Sequence, residues 1–349
     1  MKKIFRVKLR HCQNLREKSV SRKRILYRII QSVLILFCIM TINFFLMRFM
    51  PGDPVEHILG EDTYFAMMRT NPETIEEIRS DYGLDRPLPV QYVAYLKKTI
   101  CFDFGNSYRT KVPVLKTVMF RMKWTLLLAM PAIFLSAFLA GWAGLCAGYK
   151  QKGFANIFFS PVMLFFYTIP TNCMAILFLI VFSFKLGLFP ISGITSGGLH
   201  GLKKTIDIFW HTVLPFSVLV ILKMPSFFML MKGNVQALRE EEYVTSAASR
   251  GFSDGFILRR HLLKNALCPY ITAVCMSLGN MFGGALMVET VFSWKGMGSL
   301  IYDSVQGKDY PVLQASFLII GICVILFNLL ADLINLVIDP RVRKGEKYA

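Results

Sequence analysis

Long apolar blocks recur along the chain, and their length restricts the fold more than any other feature of the sequence. Each block has about 20 residues or more, the length an α-helix needs to cross roughly 30 Å of hydrocarbon. Since a backbone in lipid must satisfy its polar groups internally, these blocks predict membrane-spanning helices. The predicted spans are residues 25–49, 120–148, 154–184, 209–232, 267–291 and 312–338.

We therefore predict an all-α, polytopic membrane protein with six transmembrane helices. Only 18% of its 349 residues are charged, whereas a soluble domain has about 25%. The predicted divisions are a basic extension at 1–24, a first transmembrane helix at 25–49, an outer segment at 50–119, a five-helix membrane core at 120–338 with a loop at 233–266, and a basic tail at 339–349.

The outer segment carries helix and turn signals that predict a small extracytoplasmic helical cap. Asn71 and Pro72, with Glu73 close behind, are typical of a helix start. Gly83 indicates a turn, and an amphipathic stretch follows at 90–100.

The distribution of basic residues predicts the orientation in the membrane. Residues 1–28 contain eleven Lys or Arg and one acid, Glu17, and such an excess is typical of the cytoplasmic side. Six crossings then place the C-terminus inside as well, and the short loop "YKQKG" between the second and third spans is also basic. The net charge of +18 is thus assigned to topology and to anionic lipid headgroups, with no nucleic-acid partner.

The polar residues do not form a pattern typical of catalysis or metal binding. The phosphate-loop pattern GxxxxGK[ST] is absent, and no Ser, His and Asp set stands in a catalytic arrangement. The five His residues lie in five different segments, and the eight Cys residues include no CxxC pair. The sequence therefore predicts a non-catalytic chain without a metal site or a cofactor of its own.

One polar stretch between the fourth and fifth spans, residues 241–272, resembles neither a span nor a simple turn. Glu242 is suited to the start of a helix, and Gly251 after Arg250 is suited to its end. Ser253 can cap a second helix that runs through Pro269 into the fifth span. Two helices joined at a glycine would form a rigid elbow; a solvated loop kept out of lipid by its charges is the alternative.

The motif "E-Y-V-x-x-A-x-x-x-G" in this stretch resembles the EAA loop of binding-protein-dependent ABC importer permeases, within the oligopeptide, dipeptide and nickel branch. Two positions depart from the family's usual residues. In this loop, Ala248 stands where a basic residue is common, and in the later segment "VETVFSWKGMG", Lys295 stands where proline is common. Other marks of that branch occur in the same order along most of the chain: "MPGDPV", "YGLDRPLPVQY", "FDFGNSY", "VETVFSWKGMG", "DYPVLQA" and "DPRVR".

The resemblance implies a role for each conspicuous residue of the loop. The first helix would dock on an ATPase through Tyr243 and Ala247, Glu242 and Arg250 would flank that contact, and Gly251 would form the elbow. Structural roles within the coupling loop are implied for Ser253, His261, Asn265 and Pro269. Lys223 and Asn280, two of the few polar residues inside spans, are candidates for the substrate pathway.

The resemblance also implies the function and the partners. The chain would be the permease subunit of a type I importer in a bacterial or archaeal cytoplasmic (inner) membrane, forming half of the pathway for di- or oligopeptides. Its partners would be a second homologous permease, two ATPases that bind ATP and Mg, and an extracytoplasmic substrate-binding protein. A nickel or metal-chelate permease of the same architecture is one alternative, and an ion-coupled secondary transporter is another.

Overall fold

The structure is a computed structural model that describes residues 27–46, 48–49, 53–81 and 83–338. The predicted basic extension at 1–24 and the basic tail at 339–349 lie outside the described residues. Within the described residues the protein is helical and contains no β-strand, only an isolated bridge between Asn106 and Pro113. The prediction of an all-α polytopic membrane protein is confirmed.

Five helices in the described part of the chain are long and apolar enough to cross a membrane, and a bent pair of helices makes a sixth crossing if it is one span. The first, α1, covers Tyr27–Leu46 and packs against α15 (Tyr310–Ile338), the last helix that the structure describes. Arg28 forms an ion pair with Asp332 at 3.2 Å, and a Cβ at Gly321 would lie 2.7 Å from the side chain of Ile39.

The outer segment contains four helices: α2 (Pro54–Leu59), α3 (Glu61–Thr70), α4 (Pro72–Asp81) and α5 (Leu88–Ile100). The start of α4 at Pro72 and the helix over 90–100 follow the sequence signals, whereas α2 and α3 were not predicted. Val55, Tyr64 and Ile75 form a small apolar core. Asp53 ties this core together, because its carboxylate accepts hydrogen bonds from the Val55 N–H at 2.9 Å, the Tyr64 hydroxyl at 3.1 Å and Arg79 at 2.6 Å.

The centre of the membrane core is the pair α6 (Val114–Tyr149) and α9 (Gly201–Arg239). They have 36 and 39 residues and extend at both ends beyond the predicted spans at 120–148 and 209–232. Small residues bring their backbones together: a Cβ on Gly144 would lie 2.7 Å from the Phe228 carbonyl oxygen, and one on Gly148 would lie 2.8 Å from the Lys232 carbonyl oxygen. Close backbone approach at small residues is typical of helix pairs in membranes.

The predicted span at 154–184 consists of two helices, α7 (Phe154–Thr168) and α8 (Thr171–Phe178), and α8 continues in π-helical turns to Lys185. The two parts meet at an angle of 100°. The break lies at Pro170, which cannot donate a backbone hydrogen bond and which disfavours helical geometry at the preceding residue. Ile169 accordingly has an extended conformation with ψ of 124°.

The last part of the chain contains six helices. The short helices α10 (Glu242–Ser249) and α11 (Asp254–Ile257) come first, and α11 continues through π-helical turns over Leu258–Leu262 into α12. The predicted span at 267–291 is not one helix: α12 ends at Gly279, α13 begins at Met281, and Asn280 lies between them. The remaining helices are α12 (Leu263–Gly279), α13 (Met281–Val291), α14 (Met297–Gln306) and α15 (Tyr310–Ile338).

Candidate coupling site

The loop between α9 and α12 has the helix–glycine–helix arrangement that the sequence predicts. The chain leaves α10 at Arg250, and Gly251 takes a left-handed conformation with φ of 79°. The Gly251 N–H donates to the carbonyl oxygen of Ala248 at 3.0 Å, which closes the helix end. Ser253 occupies the N-cap position of α11 in an extended conformation, but its side chain makes no capping hydrogen bond. Its carbonyl oxygen instead accepts from the first free N–H groups of the helix.

The short helix α10 has one face on the protein and one face outside. Val244 and Ala247 are buried, with 4% and 6% of their surface exposed. Tyr243 is 39% exposed, and Glu242 and Arg250 are exposed as well. Ala247, predicted to contact an ATPase together with Tyr243, therefore packs inward in this structure. Its small side chain allows α10 to lie close against the rest of the chain.

Three residues predicted to matter in the loop, Tyr243, His261 and Asn265, lie together between α10 and the helix that leads into α12. The side-chain amide of Asn265 on α12 donates a hydrogen bond to the Tyr243 hydroxyl at 3.1 Å. The rings of Tyr243 and His261 have centroids 6.2 Å apart, and Phe256 contacts the same His261 ring edge-on at 5.8 Å. Phe252 stacks on Phe256 at 4.9 Å and extends the cluster along the loop. The two phenylalanines were not predicted, because Phe252 lies in the turn before α11, where helical spacing does not apply.

A second contact joins the loop to the two longest helices. The hydroxyl of Tyr149, the last residue of α6, donates to the carboxylate of Asp254 at 2.6 Å. The guanidinium carbon of Arg239, the last residue of α9, lies 5.8 Å from the centroid of the Tyr149 ring. The ends of α6, α9 and α11 therefore meet at Tyr149. Sequence reasoning missed this contact, because the three residues lie in three separate segments.

Beside this cluster, a surface pocket of about 640 Å³ opens at the start of α11. Arg259 and Arg260 are exposed and line it; within the described ranges neither has an ion-pair partner. The remaining lining residues are Ser253, Gly255 and Phe256. The loop thus presents a basic rim next to the outward face of α10.

At the opposite end of the core, Glu289 forms a buried polar centre. One oxygen of its carboxylate accepts from the Thr125 hydroxyl at 2.5 Å, and the other accepts from the N–H groups of Gly298 at 2.7 Å and Ser299 at 3.1 Å. Gly296 has no room for a side chain, because a Cβ at this position would overlap the Glu289 carboxylate. Glu289 therefore joins α13 to α6 and α14, and its role is structural.

Two further sequence marks meet at the start of α15. The Ser107 hydroxyl of "FDFGNSY" donates to Asp309 of "DYPVLQA" at 2.5 Å, and the Tyr108 N–H donates to the same carboxylate at 3.1 Å. The two marks are separated by 202 positions in the chain. Two motifs that are distant in sequence thus form hydrogen bonds that join the outer segment to the core.

The two predicted pathway residues lie beside the same helix. Asn280 is exposed at the break between α12 and α13. Lys223 is partly buried in α9, and a Cβ on Gly284 of α13 would lie 3.3 Å from its Nζ atom. Pro269, predicted as a loop residue, lies inside α12 on an exposed face. In the part of the chain that the structure describes, no group of three or more His, Cys, Asp or Glu side chains could hold a metal ion.

Comparison with known proteins agrees with this architecture along almost the whole chain. Residues 140–344 match the family described as binding-protein-dependent transport system inner membrane component, and residues 22–129 match the N-terminal part of such membrane components. Together the two matches include the coupling loop, the Glu289 centre and the outer helical segment.

The alignments with individual relatives cover nearly the full length of both proteins. A relative from Brucella ovis, whose given name is that of a peptide permease, is 31% identical over 319 residues, which is 91% of this chain and 98% of the relative. A dipeptide transport system permease protein of Alkalihalophilus pseudofirmus is 27% identical over 332 residues, with 90% and 98% covered. The family consists of permease subunits, which leave ATP hydrolysis to partner ATPases. The chain belongs to the binding-protein-dependent transport system inner membrane components and is a multi-pass, non-catalytic permease subunit of an ABC importer.

Proposed function

We propose that this permease imports di- or oligopeptides and that α10 transmits the movement of an ATPase to the membrane helices. The observation that carries the coupling proposal is the fixed connection of the loop to three helices: Asn265 on α12 bonds Tyr243 of α10, and Asp254 of α11 bonds Tyr149 at the end of α6, whose ring lies beside Arg239 at the end of α9. The names of the relatives, which refer to peptides and dipeptides, support the cargo.

The exposed face of α10 is suited to dock on a partner. Tyr243 offers an aromatic ring that is already held by its hydroxyl, so little side-chain freedom is lost when a partner covers it. Glu242 and Arg250 stand at the two ends of the helix, about 12 Å apart at 1.5 Å per residue, and can orient a partner by charge. Ala247 supports the helix from below and does not contact the partner directly.

In this proposal the elbow acts as a rigid lever. When two ATPases close around ATP, each docked α10 moves, and the buried contacts of Val244 and Ala247 carry the displacement inward. The Tyr243 hydrogen bond carries it to α12, and the Asp254 contact carries it to α6. Alternating access then follows as a movement of packed helices between two discrete arrangements.

The same proposal assigns the partners and the orientation. A second homologous permease completes the pathway, two ATPases bind ATP and Mg, and a substrate-binding protein delivers cargo to the side of the outer helical cap at 50–119. The termini and the coupling loop are cytoplasmic. The contact between Tyr149 and Asp254 supports this orientation, because it places the basic loop that follows Tyr149 at the same end as the coupling loop.

Uptake in cells tests the cargo. Cells that lack this gene, and the same cells complemented with it, are given a labelled dipeptide, a labelled tetrapeptide and labelled nickel side by side. We expect peptide uptake to be lost without the gene and restored by it, while nickel uptake is unchanged. Loss of nickel uptake alone, or unchanged uptake of all three, contradicts the peptide assignment.

A further inference from the structure

Lys223 is a cation inside a membrane helix, and none of the described residues pairs with it. It lies in α9 on the same face as Leu219, Val220 and Phe227, all of which are buried, since residues three and four apart share a helix face. Within the described residues it has no hydrogen-bond or ion-pair partner. A charge at this depth is costly, so an unpaired one indicates a function.

The lysine reaches an open part of α13. Its Nζ atom lies 3.3 Å from the position of a Cβ on Gly284, and the neighbouring Gly283 is exposed, with no atom within 4 Å of such a position. Asn280 lies four residues before Gly284, so its exposed side chain is on the same face of the helix. Lys223, Asn280 and Gly284 therefore lie along one side of α13, and the adjacent Gly283 leaves space open beside them.

The acid on the same helix does not neutralise this surface. Glu289 follows Gly284 by five residues, which places it about 140° around the helix. Its carboxylate oxygens are already bonded to Thr125, Gly298 and Ser299 on other elements. The surface therefore keeps a net positive charge, a side-chain amide and exposed glycine backbone, and α13 begins here with the positive end of its dipole.

We propose that Lys223 and Asn280 form a carboxylate-binding station in the pathway, which takes the free C-terminal carboxylate of a passing peptide. Lys223 supplies the charge and one hydrogen bond, Asn280 donates a second, and Gly283 and Gly284 leave room for the peptide backbone. The occupant is a carboxylate because only an anion both bonds to the ammonium and neutralises it in a site of low polarity. This inference rests on the proposed peptide cargo.

The first test compares a labelled tripeptide with its C-terminal amide in cells that carry the complete transporter. Lys223→Met is expected to lower uptake of the free acid about tenfold and to leave uptake of the amide within about twofold, since one charge-assisted contact is lost. Lys223→Arg should restore the preference. The matched control is Lys232→Met, on the same helix, whose lysine already donates to Ser160 at 2.9 Å and should not alter the ratio of acid to amide.

The second test does not depend on the cargo. All eight native cysteines are replaced, Asn280→Cys is introduced, and the assembled complex is labelled with an anionic and a cationic thiol reagent of similar size. With Lys223 present, the anionic reagent should react faster, and Lys223→Met should lower the ratio of the two rates about tenfold. If Lys223→Met leaves the ratio of the two labelling rates unchanged, the carboxylate station is wrong, even when peptide uptake is normal. If only the peptide assignment fails, the expected change in labelling rates is still observed.

A partner permease could instead supply an acid that pairs with Lys223. In that case Lys223→Met would lower the recovery of assembled complex from membranes and would reduce uptake of the free acid and the amide equally. Either result contradicts the carboxylate station. Normal recovery of the complex together with selective loss of free-acid uptake supports it.

Discussion

The Tyr243 hydroxyl on α10 accepts a hydrogen bond from the side-chain amide of Asn265 on α12, 22 residues later in the chain. The bond joins the helix proposed to dock on the ATPase directly to a helix that enters the membrane. Removing the hydroxyl with Tyr243→Phe keeps the aromatic ring, so we expect peptide transport to fall by about twofold to tenfold, as for one hydrogen bond of about 1 kcal/mol. Transport per ATP hydrolysed, measured in reconstituted complexes, checks this.

A double-mutant cycle separates the bond from other effects of the same residues. Tyr243→Phe and Asn265→Ala should lower coupling by the same factor, and the double variant should be no worse than either single variant. The control is Thr245→Val, since the Thr245 hydroxyl donates within its own helix, to the carbonyl oxygen of Glu242. Additive losses in the double variant would show that the two side chains act independently.

Gly251→Val should leave the protein in the membrane but uncouple ATP hydrolysis from transport. The position has open space around it, so the expected effect comes from backbone strain at φ of 79°, about 1–3 kcal/mol for a residue with a side chain. Gly233→Val is the matched control, because Gly233 has equal space and ordinary helical geometry. Membrane abundance, ATPase rate and uptake are measured for both. Equal uptake by the two variants at equal abundance would contradict a special role for Gly251.

Glu289→Ala should destabilise the fold without changing coupling in the molecules that remain folded. It leaves the Thr125 hydroxyl and the N–H groups of Gly298 and Ser299 buried without an acceptor, at about 1–3 kcal/mol for each donor. Thermal unfolding in detergent should show a clearly lower midpoint. Asp303→Ala, an exposed acid of α14, serves as the control and should unfold as the wild type does. An unchanged midpoint for Glu289→Ala would contradict the structural role.

The outer helical cap should loosen at acidic pH. Burial disfavours the charged form of Asp53, but hydrogen bonds from Val55, Arg79 and Tyr64 outweigh it and lower the pKa of this carboxyl. Because its pKa is lower in the folded protein than in the unfolded chain, its stabilising effect is present above the unfolded pKa and is lost as pH falls through the folded value.

Amide hydrogen exchange in α2 and α4, corrected for the intrinsic effect of pH, measures that loosening. Protection should decline between about pH 5 and pH 2 in the wild type. Asp53→Asn should show reduced protection already at neutral pH and a weaker dependence on pH, whereas the exposed Asp62→Asn should behave as the wild type does. Identical pH profiles for Asp53→Asn and wild type would exclude this carboxyl as the cause.

Local signals in the sequence predicted local structure well. Gly251 and Ser253 indicated where α10 ends and α11 begins, because a left-handed turn and an N-cap position each depend on one residue and its neighbours. The membrane spans followed from apolar length, but the 100° break at Pro170 and the division at Asn280 did not. A proline in an apolar block does not reveal whether the surrounding helices will satisfy the freed carbonyl groups or whether the helix will turn.

Contacts between distant segments were the part that the sequence could not supply. His261 and Asn265 were expected to tie the second helix to its surroundings, and the partner, Tyr243, appeared only when α10 was placed against α12. Ala247 was assigned to an outward contact from its spacing of four residues from Tyr243. The two lie about 40° apart around the helix, close enough in angle that only the packing of α10 distinguishes an inner residue from an outer one.

The glycines between α6 and α9 limit which parts of this importer can move. With backbone packed on backbone at Gly144 and Gly148, a shift of one helix along the other would bring a residue with a side chain to a place where its Cβ would lie only 2.7–2.8 Å from a carbonyl oxygen. We therefore expect α6 and α9 to move as one rigid body through the transport cycle, with the force applied at the end where Tyr149 contacts Asp254. Opening and closing of the pathway then depends on elements that move relative to this pair, foremost the bent α7 and α8.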